Sequence, residues 1–265
     1  MTLPDGWTTD AVRVNGVDLQ CYRIGNGPPL VMAHGLFDSG QRWIPLAEDL
    51  ADDYEVVAYD ARGHGQSDAP KTGYSLDDRI TDLRAVVHEL DLSNPILLGH
   101  SMGGATVAWA AAKYPDFPRA VVLEDPEGLH DQPDLNPDER AGVVHERLEE
   151  VAGQTVQEIV EEHFPDPDQT HARRLATASL ECSPHVAEIA REGYPSPLVN
   201  ALSEISCRTL VLRSDLDVDR RVRDLDASDT VPDGRLVHIS DAGHYVFRDE
   251  YEAAYTELRT FLQRI

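Results

Sequence analysis

The chain has 265 residues, enough to bury one large core, and its 41% hydrophobic content is ordinary for a globular protein. Its charge is not ordinary: 48 Asp and Glu face 23 Lys and Arg, for a formal net charge of -25. A chain this acidic lacks the basic face that nucleic acids and anionic membranes require, so neither is expected as a partner.

The first residues, Met1-Thr2-Leu3-Pro4-Asp5-Gly6, contain no basic stretch leading into an apolar one. No run reaches the roughly 18 apolar residues of a membrane span, and a cytoplasmic protein is expected. Residues 8 to 25 predict two alternating strands around Asn15-Gly16, a dipeptide suited to a tight hairpin turn. Short apolar runs then recur between helical stretches: Leu30 to Ala33, Val56 to Tyr59, Ile96 to Leu98, Ala120 to Leu123, Leu210 to Leu212 and Leu236 to Ile239. Near-continuous apolar strands alternating with helices predict a parallel sheet covered on both faces.

Between 127 and 203 the strand rhythm stops. Amphipathic helical segments take over, among them Asp138 to Val151 and Thr155 to His163, bounded by Pro126 on one side and Pro195 and Pro197 on the other. The expected organisation is a core of residues 1–126 and 204–265 with a helical cap inserted at 127–203. A closing helix is expected over Glu250 to Gln263. Cys21, Cys182 and Cys207 are odd in number and widely spaced, which fits neither a disulfide framework nor a zinc site; buried thiols are expected, and no metal.

Gly99-His100-Ser101-Met102-Gly103 fits Gly-x-Ser-x-Gly directly after one apolar run and before the helical Ala105 to Lys113. A sharp strand-to-helix turn there would hold the Ser101 hydroxyl out over the sheet edge as a nucleophile. His34-Gly35-Leu36-Phe37 follows the first parallel run, where the amides of Leu36 and Met102 could together form an oxyanion hole, each donor worth about 3 kcal/mol. Asp60 to Ser67, with two glycines and an arginine, reads as a shaped turn that braces its neighbours. His244, in Asp241-Ala242-Gly243-His244 after the last run, is the candidate general base, since an imidazole titrates near neutrality. A carboxylate must orient it, and Asp215, Asp217 and Asp219 compete after the fifth run.

Taken together, His34-Gly35, Asp60 to Ser67, Gly99 to Gly104, an acid after the penultimate run and Gly243-His244 resemble the α/β-hydrolase family in order and spacing, over nearly the whole chain. The resemblance implies a mostly parallel, twisted sheet of about eight strands with helices on both faces and an inserted helical cap. Relatives often end a Gly-x-x-Asp loop with the acid. Ser214-Asp215-Leu216-Asp217 matches with serine for glycine, which makes Asp217 the first choice. Other relatives place the acid one strand earlier, which makes Asp125 the rival and Asp215 the next candidate.

The activity so implied is hydrolysis of a small ester, lactone or thioester through an acyl-enzyme, without a cofactor. Serine at 101 argues against the dehalogenase and epoxide hydrolase branches, which use aspartate there. Hydrolysis of C–C bonds ranks lower, because Leu36-Phe37-Asp38-Ser39 replaces the glycine-rich loop of those enzymes. Perhydrolase or haloperoxidase chemistry is a side reaction of the same triad, and a ligand receptor with little turnover is the alternative of another class. Only Lys71 and Lys113 are lysines, and this acidic, lysine-poor composition resembles that of proteins from salt-loving organisms.

Overall fold

Asn15 and Gly16 both adopt positive φ, 47° and 79°, the left-handed pair that a two-residue hairpin turn demands. The structure, a computed structural model, describes residues 3–130, 135–164, 169–215, 218–231 and 233–265, apart from the side chains of Asp226 and Ser228. In chain order the strands are β1 (Thr8–Val14), β2 (Val17–Ile24), β3 (Pro29–Ala33), β4 (Glu55–Tyr59), β5 (Ile96–His100), β6 (Ala120–Glu124), β7 (Arg208–Ser214) and β8 (Gly234–Ile239). The helices are α1 (Ile44–Leu50), α2 (Leu76–Glu89), α3 (Met102–Lys113), α4 (Pro137–Ala152), α5 (Val156–His163), α6 (Gln169–Glu181), α7 (Ala187–Glu192), α8 (Leu198–Leu202), α9 (Val218–Ser228), α10 (Val246–Asp249) and α11 (Tyr251–Leu262). None of the described helices is long and apolar enough to cross a membrane.

The chain divides into two compact units. The first comprises Met1–Pro28, Leu36–Asp91 and Pro133–Gly193. Here β1 pairs antiparallel with β2, and β2 antiparallel with β4. Val12, Val14, Val17, Leu19 and Cys21 alternate inward along the hairpin, as period-2 side chains must when one face is buried. Helices α2, α4 and α5 each begin with a capping box, Ser75 with Asp78, Asn136 with Glu139 and Thr155 with Glu158, which satisfies amides that have no intrahelical acceptor. Val151, Ile159, Val160, Phe164, Leu175 and Ala176 close a separate apolar cluster among α4, α5 and α6.

The second unit comprises Pro29–Gly35, Leu92–Gln132 and Tyr194–Ile265. Its five strands run parallel in the order β3, β5, β6, β7, β8, with Ala33 beside Gly99, His100 beside Glu124 and Glu124 beside Leu212. Leu30, Leu97, Leu98, Val122, Leu210 and Val211 are completely buried. Each such side chain contributes about 1.5–3 kcal/mol, which explains why these strands read as unbroken apolar runs. Helix α3 packs on β3, β5 and β6, α9 on β8, and α11 on β7. Because the strands are parallel, their carboxyl ends deliver Gly35, Ser101, Asp125, Asp215 and the loop of His244 to one edge, where open α/β sheets bind ligands.

Candidate active site

Ser101 sits between β5 and α3 with φ 49° and ψ -114°, a conformation that costs a non-glycine residue on the order of 1–3 kcal/mol. Small neighbours permit it. A Cβ on Gly103 would lie 2.3 Å from the Ala33 carbonyl oxygen, and one on Gly35 would lie 2.6 Å from His100 Nδ1, so both glycines allow the end of β3 to press against the turn. The Ser101 amide donates to the Glu124 carbonyl at 3.0 Å, and the Ser101 carbonyl accepts from Ala105 and Glu127. The turn is therefore tied to α3 and to the segment after β6.

Met102 opens α3, where the first amides lack intrahelical acceptors and the helix dipole favours negative charge. Leu36, the other expected oxyanion donor, belongs to the first unit, and its nitrogen is bonded to the carbonyl carbon of Gly35.

Asp125 follows β6 in a left-handed conformation, φ 38°, and is fully buried. Its Oδ2 accepts from His244 Nδ1 at 2.6 Å. The other oxygen, Oδ1, accepts from Arg213 Nη1 at 2.7 Å, Ser214 Oγ at 3.1 Å, the Ser214 amide at 3.3 Å and Arg220 Nη2 at 3.2 Å. Burial pushes the Asp125 carboxyl up, but the His244 hydrogen bond and the charges of Arg213 and Arg220 outweigh it and bring the pKa down to about 2. Asp125 is thus an ionised acceptor, which fixes the proton of His244 on Nδ1 and leaves the lone pair on Nε2.

Of the acids expected after β7, Asp217 lies outside the described residues. Asp215 pairs with Arg221 at 3.1 Å, while its amide donates to Ala242. The carboxylate on His244 in the structure is that of Asp125.

His100 was not singled out in the sequence. Its Nε2 donates to the His244 carbonyl at 3.0 Å, and its ring lies 4.7 Å from that of His244 and stacks on Tyr245 at 4.9 Å. The residue beside the serine therefore braces the histidine loop. Glu124, fully buried, accepts the Phe247 amide at 3.0 Å and so anchors α10, which follows the histidine loop.

Asp60 to Ser67 has the bracing geometry of a shaped turn. Asp60 accepts from Tyr22 Oη, the Gly40 amide and the Gln66 amide, and Arg62 pairs with Asp82. Burial raises the Asp60 carboxyl to about 6, although these three hydrogen bonds pull the other way. Cys21 and Cys182 are buried and Cys207 half-buried, all three free thiols. Among the described residues no cluster of three or more His, Cys, Asp or Glu side chains is placed to hold a metal ion.

Comparison with known proteins fits this architecture. The α/β-hydrolase fold family matches residues 28–251. The 2-(acetamidomethylene)succinate hydrolase of Mesorhizobium japonicum is 36% identical over 121 residues, 46% of this chain and 44% of that protein. A non-heme chloroperoxidase of Streptomyces lividans is 36% identical over 116 residues, 43% of this chain and 42% of that one. Both matches span less than half the length of these relatives. The solved structure of an esterase from Exiguobacterium antarcticum superposes with a TM-score of 0.81 at 23% identity, covering 97% of this chain and 100% of that one. With a family match over most of its length, an elbow serine after β5 and a histidine after β8, the chain belongs to the α/β-hydrolase fold family.

Proposed function

We propose that this chain is a serine hydrolase that cleaves a small ester-like substrate, a carboxylic ester, lactone or thioester, through an acyl-enzyme, with Ser101, His244 and Asp125 as its triad. The observation that carries this reading is the 2.6 Å hydrogen bond from His244 Nδ1 to buried Asp125, one residue along from the Glu124 carbonyl that holds the Ser101 amide. With its Nδ1 proton committed to Asp125, His244 presents Nε2 to take the proton of Ser101 as Oγ attacks the acyl carbon. The Met102 amide, at the N-terminus of α3, stabilises the tetrahedral oxyanion. His244 then returns the proton to the leaving group, and water, activated by the same imidazole, releases the acid and restores Ser101. Residues 127–203, inserted between β6 and β7, are the cap of this reading.

A second reading rests on the likeness to the non-heme chloroperoxidase. Hydrogen peroxide in place of water would attack the same acyl-enzyme, giving a peracid and free Ser101. The first test is a panel of p-nitrophenyl esters of increasing acyl length, assayed in concentrated KCl. Saturable, sustained turnover of at least the short esters is expected. Folded protein that turns over none of them would favour a ligand receptor and overturn the proposal.

A further inference from the structure

Behind Asp125 lies a second buried carboxylate that no step above employs. Asp224, on α9, is fully buried. Its Oδ2 accepts from Arg213 Nε at 3.0 Å and from His238 Nε2 at 3.0 Å, and its Oδ1 accepts from His130 Nε2 at 2.6 Å and from Arg213 Nη2 at 3.3 Å. Arg213, on β7 and 1% exposed, turns its remaining Nη1 to Asp125. One buried guanidinium therefore bridges two buried carboxylates, and only the nearer one touches His244.

We propose that Asp224 is a positioning residue of the active site: acting through Arg213, it fixes Asp125 and sets how strongly Asp125 supports the cation that forms on His244. The inference rests on the triad reading given above.

The geometry supplies the reason. A guanidinium is planar, with its donors in a fixed fork, so capture of Nε and Nη2 by Asp224 fixes the plane in which Nη1 donates to Asp125 Oδ1. Asp125 Oδ2 then faces His244 Nδ1 at 2.6 Å, with the partly exposed Arg220 Nη2 reaching it at 3.3 Å. Charge adds to direction. Arg213 shared between two carboxylates neutralises neither, so the trio carries one net negative charge close to the imidazolium that forms during turnover. If Asp224 were neutral, Arg213 would cancel Asp125 and the imidazolium would lose that support. The groups facing this network come from every neighbouring element: Arg213 and Ser214 from β7, Arg220 from α9, His238 from β8, His130 from the segment after β6, and His244 itself. His238 and His130 hold Asp224 alongside Arg213, one imidazole on each carboxylate oxygen. Arg220, on the near side, is about one-third exposed and solvent-screened, whereas Arg213 is not.

The test is the pH profile of kcat/KM for a p-nitrophenyl ester with the 265-residue chain, wild type against Asp224→Asn and Asp224→Glu. In Asp224→Asn the midpoint of the acid limb is expected to fall by half a unit or more, with kcat at neutral pH down at least tenfold and KM within about threefold. Asp224→Glu, which keeps the charge, is expected to keep the wild-type midpoint. Should Asp224→Asn fail to fold, the double variant His130→Gln, His238→Gln serves. Its amides still donate to Asp224 but can never carry a charge, and the midpoint is expected to rise. A purely structural role would lower the folded fraction, read by circular dichroism, and leave every midpoint in place; that result overturns the proposal. Titration of Ser101 with a fluorophosphonate separates the two failures. If the wild type is not labelled, the hydrolase reading falls and takes this inference with it. If wild type and variants are labelled to the same extent with unmoved midpoints, the role of Asp224 alone is refuted.

Discussion

Replacing Asp125 by Asn tests the electrostatics of the site with almost no change of shape. Four donors, from Arg213, Ser214 and Arg220, converge on Oδ1, and of these only the Ser214 hydroxyl could turn to accept. The introduced amide must therefore place its oxygen toward Arg213 and its NH2 toward His244. Facing a donor, the imidazole moves its proton from Nδ1 to Nε2, the nitrogen that has to accept the proton of Ser101. Loss of the correct tautomer and of the charge under the imidazolium costs up to about 10⁴ in kcat in serine proteases, and a fall of 10³ to 10⁴ is expected here. The same substitution destabilises the fold. The difference between the ordinary carboxyl pKa of 3.8 and the value of about 2 held by Asp125 corresponds to about 2 kcal/mol at neutral pH. The assay is steady-state hydrolysis of a p-nitrophenyl ester alongside urea unfolding, with Asp217→Asn and Asp215→Asn in parallel. Activity of Asp125→Asn within tenfold of wild type, together with a collapse in Asp217→Asn, would refute the argument and place the acid after β7.

The same carboxylate fixes a pH window. Its folded pKa lies below its unfolded one, so its stabilisation is complete above about pH 3.8 and is lost as the pH falls toward 2; the difference in Tm between wild type and Asp125→Asn should shrink to nothing across that interval. Gly103→Ala places a Cβ 2.3 Å from one backbone oxygen and 2.6 Å from another, against ordinary contacts of 3.4 Å or more, so the end of β3 must move by about 1 Å; a loss of about 100-fold in kcat/KM is expected, whereas unchanged kinetics would contradict the close approach. Gly142→Ala, inside α4 with nothing beyond the helix's own backbone within 4 Å of the added methyl, should instead raise stability by about 0.5–1 kcal/mol in urea titration. With a net charge of -25, Tm should rise between about 0.1 M and 3 M KCl, because the Debye length drops from about 10 Å to below 3 Å; a flat or falling trend would reject the salt-adapted reading.

The parts of this protein legible in its sequence are those written locally. Asn15-Gly16 announces its turn because only a left-handed pair fits a two-residue hairpin, and the buried strands announce themselves because both faces must be apolar. The elbow is equally local: strand, serine and flanking glycines occupy adjacent positions. The acid is not. Asp125 and His244 are 119 residues apart, and only the pairing of β6 with β7 and β7 with β8 decides which strand end faces the histidine. In an acidic chain each Asp carries little information, so the loop pattern favours Asp217 while the hydrogen bond falls on Asp125. Arg213 left one signal, a charged residue ending the apolar run Leu210 to Leu212, a position where a buried charge must have partners. Asp224 left none, since on a helix as polar as α9 it reads as one more surface acid. His100 was hidden inside the motif, at a position the Gly-x-Ser-x-Gly pattern leaves open.

The central claim is that Ser101 is the nucleophile. Treating the folded protein with a fluorophosphonate and mapping the adduct by peptide mass spectrometry tests it most directly. One equivalent is expected on the peptide carrying Ser101, with hydrolysis lost in proportion, and in Ser101→Ala neither adduct nor ester turnover above the uncatalysed rate. An adduct on another residue, or ester hydrolysis at the wild-type rate in Ser101→Ala, would contradict it.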